Sequence, residues 1–192
     1  KAAYSINRGL WGTSIGGKET LTSHGMIPEE AWPSQLTAHE ESSVSITFDK
    51  GEIIAVNDVT FNHPADAIIH LQKIAGVYAI GRDIHIGDTI IGIKGRVGFE
   101  AAAPMVIIKA HHALEKHVLT KWQLNWKDQL ALFYGNWLHE GQILDPVMRD
   151  IEAFFENSQE NVTGKVFVDL VPYRFQITGI ESVYDLMSSK FG

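Results

Sequence analysis

Alternation of apolar and polar side chains marks two neighbouring strands near residue 50. In the run Ser43–Asp49 every second residue from 44 to 48 is apolar, which is the period of a strand that buries one face. The run Glu52–Asn57 is also rich in strand-forming residues, and Lys50-Gly51 between the two runs suits a tight turn. The pattern predicts a β-hairpin.

Four later segments carry apolar residues three or four positions apart, the period of a helix with one buried face. The first is Pro64–Ala75, where proline occupies a favourable first position and Gly76 supplies a stop. The second opens at Pro104, the third at about Lys121, and the fourth covers Asp145–Gln159. We therefore predict four helices.

Further strand-forming runs lie between and after these helices. They are Tyr78–Ile86 and Thr89–Arg96, with Gly87-Asp88 as the predicted turn, and the closing pair Lys165–Val171 and Tyr173–Thr178. Short connections between neighbouring strands favour antiparallel pairing. The order of elements predicts a single α+β domain over residues 1–192, built from antiparallel strand hairpins packed with several helices.

The first forty residues show neither period and are rich in glycine, which predicts loops and turns with one helical turn at Glu29–Trp32. Within this segment Gly12–Glu19 nearly matches the phosphate-binding loop GxxxxGK[ST]. However, Glu19 stands where that loop needs a hydroxyl, and no buried strand leads into it. We reject a nucleotide site here.

Charge and composition narrow the possible partners. The chain is acidic, with a formal net charge of −7, and its Lys and Arg residues are scattered, which argues against nucleic acid. It has no cysteine, so disulfides, thiolate catalysis and sulfur-liganded zinc are excluded. Neither a leader nor an apolar run of membrane-spanning length is present, so we expect a cytoplasmic protein without membrane contact. Because the chain runs from Lys1 to Gly192 without a cap, we expect a fragment.

Two other residue groups favour structural roles. His111, His112 and His117 lack the i, i+4 spacing of helical metal ligands, so we predict no metal site. Aromatic and apolar residues at helical spacing more often form a core or a subunit interface than a cofactor pocket. On the third helix these residues are Trp122, Trp126, Leu130, Phe133 and Trp137.

Two polar groups remain as candidate chemistry. Ser5 and Ser14 lie in glycine-rich chain, where hydroxyls can bind both ends of a zwitterionic amino acid or can satisfy local backbone. The second group lies on the hairpin predicted near residue 90 and is equally compatible with a solvated strand face. Its members are Arg82, Lys94, Arg96, Phe99 and Glu100. Neither group pairs a nucleophile with a general base.

Together these segments resemble the synthetase domain, the C-terminal half, of the argininosuccinate synthase family, in a divergent bacterial form. The resemblance runs in order along essentially the whole chain. It rests on Tyr4-Ser5 with Ser14, on Gly81-Arg82 followed by Gly92-x-Lys94-x-Arg96 and Phe99-Glu100, on Tyr134–Trp137, and on Val162-Thr163-Gly164.

The resemblance implies an ATP-dependent C–N ligase of arginine biosynthesis. In that family citrulline is activated by attack of its ureido oxygen on the α-phosphate of ATP, and the amine of aspartate then displaces AMP to give argininosuccinate. ATP, with magnesium, is bound mainly by an N-terminal domain that this chain lacks. We therefore expect the fragment alone to be inactive and to carry no cofactor. The family also implies a homotetramer.

The resemblance also assigns citrulline contacts. Its two citrulline-binding serines map onto Ser5 and Ser14, whereas its Glu and Tyr contacts map onto Gly87 and Phe99. Our hypothesis is that Asp88 replaces the missing Glu, which requires a turn or bulge because neighbouring strand residues face opposite ways. The expected supporting residues are Arg82, Lys94, Arg96 and Glu100.

A non-catalytic paralogue, kept as an oligomerisation or binding module, is the alternative. The departures at Gly87 and Phe99 favour it. Retention of the two serines and the four supporting residues favours the enzyme.

Overall fold

The computed structural model describes residues 3–187 and has two antiparallel sheets and four helices, which confirms the α+β class. The smaller sheet contains, in spatial order, β1 (Ser5–Gly9), β2 (Gly12–Gly16), β7 (Lys94–Glu100) and β6 (Arg82–Asp88). The larger contains β5 (Val59–Thr60), β4 (Glu52–Val56), β3 (Ser42–Asp49), β8 (Gly164–Val171) and β9 (Arg174–Glu181). The helices are α1 (Pro64–Gly76), α2 (Ala102–Val118), α3 (Lys121–His139) and α4 (Pro146–Gln159).

The main core lies between the larger sheet and helices α1 and α2. The alternation predicted for β3 is confirmed, because Val44, Ile46 and Phe48 are all buried. They meet the apolar faces of the two helices, including Leu71 and Leu114, which are fully buried. Each such side chain contributes roughly 1.5–3 kcal/mol when it leaves water. This core fixes α2, the helix that continues directly from the smaller sheet.

Local capping explains where the helices begin. The ring of His63 accepts a hydrogen bond from the Ala65 N–H at 3.1 Å, and Pro64 follows at the first helical position. Asp145 caps α4 in the same way, accepting from the Val147 N–H at 3.0 Å. All four predicted helices are confirmed. The predicted end of α1 and the predicted starts of α2 and α4 differ from the observed ones by one or two residues. No helix in residues 3–187 combines the length and apolarity needed to cross a membrane.

The prediction of loops for the first forty residues is wrong in one part. Strands β1 and β2 form a hairpin, and β2 pairs with β7 at the centre of the smaller sheet. Glycines and hydroxyl residues disfavour strands, but pairing with β7 and burial of Ile15 override that weak local preference. The predicted helical turn is confirmed as a 3₁₀ turn over Glu29–Ala31.

The turn predicted at Gly87-Asp88 is also wrong. Both residues lie in β6, where they pair with Gly95 and Lys94. The turn covers Thr89–Gly92, directly after these two residues, and is closed by a hydrogen bond from the Gly92 N–H to the Thr89 carbonyl at 2.9 Å. Gly92 has φ of +80°, a conformation that glycine adopts without strain. β6 therefore runs two residues beyond its predicted end, and β7 begins five residues later than predicted.

Candidate functional site

One face of the smaller sheet contains Ser5, Ser14 and the ring of Phe99, three of the residues that the sequence predicts as substrate contacts. Cross-strand register places Ser14 opposite Phe99 and, on its other side, opposite Asn7. Phe99 is in turn opposite Asp83 on β6. Because side chains alternate along a strand, Ser5 lies on the same face as Asn7. We call this surface the serine face.

Glycines leave the serine face bare. Gly12, Gly16, Gly87 and Gly95 all have the register of this face and contribute no side chain to it. Gly12 must lack a side chain, because a Cβ there would collide with the ring of Phe99. The ring therefore lies on β2, beside Ser14, and forms one wall of an open, polar surface.

The opposite face is covered and structural. Arg82 and Glu100 pair there at 3.3 Å with side chains 9% and 3% exposed. The guanidinium also donates to both carboxylate oxygens of Glu29, at 2.8 and 2.9 Å, and to the Ser34 carbonyl. The ring of Trp32 lies 5.3 Å from the guanidinium carbon. Arg82 thus anchors the segment before β3 to the back of the sheet.

Arg96 acts in the same way on an earlier segment. Its guanidinium donates to the backbone carbonyls of Glu19 at 3.3 Å and Gly25 at 3.0 Å, and to that of Thr22. These are contacts of a side chain that holds a loop. Arg82, Arg96 and Glu100, predicted as supporting residues, therefore lie together on the face away from the serines.

Asp88 and Lys94 form an ion pair near the turn of the β6–β7 hairpin. Both side chains are more than half exposed. Pairing along β6 and β7 is regular, so the structure lacks the turn or bulge that the Asp88 hypothesis needs. Its register places Asp88 on the side of the sheet opposite to the serine face, the side of Arg82. Sequence reasoning missed three serine-face residues, Asn7, Asp83 and His85, because their register becomes visible only once β1 is recognised as a strand and the hairpin turn is placed correctly.

A second polar cluster lies between helices α2, α3 and α4. Glu115 is fully buried and accepts from Lys127 Nζ at 2.6 Å and from Gln159 Nε2 at 2.9 Å. His111 Nε2 lies 3.0 Å from Gln159 Oε1, and burial is the main cause that lowers the pKa of this imidazole. The cluster borders a largely apolar cavity of about 570 Å³. Its polar groups satisfy one another, which is typical of a structural network.

Comparison with known proteins identifies the fold. The family model described as the arginosuccinate synthase C-terminal domain matches residues 4–191. The chain belongs to this family. The match includes both sheets, all four helices and the whole serine face.

Curated relatives of this argininosuccinate synthase domain agree. The argininosuccinate synthase of Dictyoglomus turgidum is 40% identical over 187 residues, covering 97% of this chain and 47% of the relative. That of Methanocaldococcus jannaschii is 36% identical over 190 residues, covering 97% and 48%. That of Xylella fastidiosa is 33% identical over 193 residues, covering 96% and 47%. The chain spans about half the length of the curated relatives it matches.

Magnesium, which the family uses with ATP, needs several oxygen ligands. In the described part of the chain, no group of three or more His, Asp or Glu side chains is arranged to hold a metal ion.

Proposed function

We propose that the chain is the citrulline-binding half of an ATP-dependent argininosuccinate synthase, a cytoplasmic ligase of arginine biosynthesis. The observation that carries this proposal is the family match over residues 4–191 together with an open serine face. Its substrates are citrulline, aspartate and ATP, and its products are argininosuccinate, AMP and pyrophosphate. The nucleotide site belongs to an N-terminal ATP-binding half outside this domain. Residues 1–192 form one synthetase domain.

The serine face acts by positioning. Ser5 and Ser14 hydroxyls can each donate to a carboxylate oxygen and accept from an ammonium, which a zwitterionic amino acid requires. Phe99 supplies an apolar wall beside them but has no hydroxyl to add a hydrogen bond. Attack of the citrulline ureido oxygen on ATP, followed by attack of the aspartate amine, needs aligned reactants and no nucleophile from the protein. The covered face, held by Arg82 and Arg96, keeps the strands in place.

The exposed aromatic surface of α3 supports assembly. No residue of this helix is buried in the described chain, and Trp122 and Trp126 are 65% and 55% exposed. Phe133, on the same helix, is also exposed. Large exposed aromatic residues are enriched at protein–protein interfaces. We propose that this surface joins copies of the chain, in a homotetramer as the family implies.

Substitution of Ser14 tests the proposed binding role. In the complete protein that contains this chain, we expect Ser14→Ala to raise the KM for citrulline about 5-fold to 10-fold, the effect of one lost hydrogen bond, with the KM for ATP unchanged. Ser43→Ala is the matched control, because Ser43 is an exposed strand serine on the larger sheet that bonds Asp169. Equal citrulline KM values in the two variants would contradict the assignment.

The second candidate is a module that assembles without catalysing. The absence of a side chain at Gly87 and of a hydroxyl at Phe99 favours it. It predicts an ordered oligomer with no citrulline binding, so calorimetric titration of citrulline into the complete protein separates the two candidates.

A further inference from the structure

We infer that Asp83 holds the α-ammonium group of the amino-acid substrate on the serine face. This inference rests on the proposed function, since it assigns a specificity-determining contact within the same site. It replaces the hypothesis for Asp88 with a residue whose register faces the serines.

The distribution of charge over the smaller sheet singles out Asp83. The four strands of the smaller sheet carry seven Asp, Glu, Lys and Arg residues. Cross-strand register shows on which face of the sheet each of them lies. Six have the register of the side opposite to the serine face: Arg8, Arg82, Asp88, Lys94, Arg96 and Glu100. Asp83 is the one carboxylate that these strands place on the serine face. A polar surface with a single negative charge is complementary to an ammonium group.

The carboxylate of Asp83 is available for a ligand. The residue is exposed, and one of its oxygens accepts the neighbouring Ile84 N–H at 2.7 Å. The other oxygen has no hydrogen-bond partner within residues 3–187, and Asp83 forms no ion pair there. Asp88, by contrast, is neutralised by Lys94. A substrate ammonium would therefore not need to displace a protein cation from Asp83.

The spacing on the serine face also fits one amino acid. Asp83 and Ser14 flank Phe99 in one row, and neighbours in such a row are about 5 Å apart, so their backbones are separated by roughly 10 Å. The Phe99 ring lies against Gly12 on the β2 side, which leaves the space beside Asp83 open. Two hydrogen bonds of about 2.8 Å can then join Ser14 to the α-carboxylate and Asp83 to the α-ammonium of the same molecule.

Position 87 cannot make this contact in the present chain. Gly87 lacks a side chain, and His85 Nε2 lies 3.5 Å from the point that a Cβ at Gly87 would occupy. The imidazole therefore already covers that part of the serine face. The only full negative charge that the sheet directs at the substrate lies four residues earlier, at Asp83.

The test uses the complete protein and two substrates, citrulline and its analogue with hydrogen in place of the α-ammonium group. The measured quantity is the ratio of kcat/KM for citrulline to that for the analogue. We expect the ratio to fall about 10-fold to 100-fold in Asp83→Asn, the effect of one charge-assisted hydrogen bond. The rate with the analogue should stay unchanged. Asp88→Asn is the matched control and should keep the wild-type ratio.

Calorimetric binding of the same two ligands to wild type and both variants provides a second readout that needs no turnover. A wild-type ratio in Asp83→Asn, or a loss that occurs in Asp88→Asn instead, would overturn the inference. If wild type binds citrulline but forms no argininosuccinate, the proposed function fails, and a weaker citrulline affinity in Asp83→Asn would still support the contact. Absence of citrulline binding in wild type would overturn both.

Discussion

Replacing Arg82 with alanine tests how far the smaller sheet depends on one buried ion pair. Arg82 Nε donates to Glu100 Oε2 at 3.3 Å, and the two side chains are 9% and 3% exposed. After the substitution, Glu100 keeps the Ser34 N–H, at 3.3 Å, as its donor within the described chain. Removing one partner of a buried ion pair costs about 3–5 kcal/mol, because the other charge stays in the interior.

A second contact of Arg82 provides the matched control. The Glu29 carboxylate accepts from Arg82 at 2.8 and 2.9 Å, but its side chain is 53% exposed. Exposed ion pairs contribute about 0–1 kcal/mol, since water already solvates both charges. We therefore expect Glu29→Gln to lower the free energy of unfolding by less than about 1 kcal/mol. Arg82→Ala should remove a large part of the roughly 5–15 kcal/mol typical of a domain.

Equilibrium urea denaturation measures both losses. The double variant Arg82→Ala/Glu100→Gln removes the charge together with its partner, so we expect it to be more stable than Arg82→Ala alone. A loss below about 1 kcal/mol in Arg82→Ala would refute the reasoning, because that is the value of an exposed pair. A double variant as unstable as the sum of its single changes would refute it too, since Glu100 would then not be an uncompensated charge.

Three further outcomes are expected. Gly81→Ala should destabilise the fold, since Gly81 has φ of +78° and a Cβ would lie 2.6 Å from the Ala101 backbone; thermal melting measures this, and an unchanged Tm would contradict it. Because burial lowers the pKa of His111, stability should be full above about pH 6.5 and fall as the pH drops from there through the folded-state pKa. His111→Asn should make the fall in urea midpoint between pH 7 and 5 shallower, and an unchanged slope would exclude His111 as its source. Trp126→Glu should dissociate the proposed oligomer in sedimentation velocity, whereas a wild-type sedimentation coefficient would remove α3 from the interface.

The elements with strong periodicity could be predicted from the sequence. The alternation in β3 and the helical spacing in α1 and α2 arise because each packs one face on the main core. Caps such as Asp145 with Pro146 mark a boundary by local chemistry alone. For these segments local preference and tertiary packing agree, which is why pattern reasoning succeeds.

The serine face could be predicted only in part. Ser5, Ser14 and Phe99 follow from the family resemblance, and the structure brings Ser14 and Phe99 into direct register. The facing of Asp83 and Asp88 could not be predicted, because a misplaced turn shifts register and reverses which side each residue faces. The sequence favours the turn at Gly87-Asp88, whereas the structure has it at Thr89–Gly92.

The strands β1 and β2 are the other element that local pattern misses. Their glycines and hydroxyl residues carry low strand preference, and one apolar residue in β2, Ile15, is buried. Long-range pairing with β7 determines their structure. Local strand propensity alone therefore does not predict β1 and β2.

The most direct test of the account is the reaction of the complete protein that contains this chain with citrulline, aspartate and ATP. We predict formation of argininosuccinate with one pyrophosphate and one AMP per product, and no pyrophosphate release by purified residues 1–192 alone. Folded complete protein that forms no argininosuccinate would contradict the proposed function and favour an assembly module. Pyrophosphate release from ATP and citrulline by the isolated domain would contradict the placement of the nucleotide site in another half.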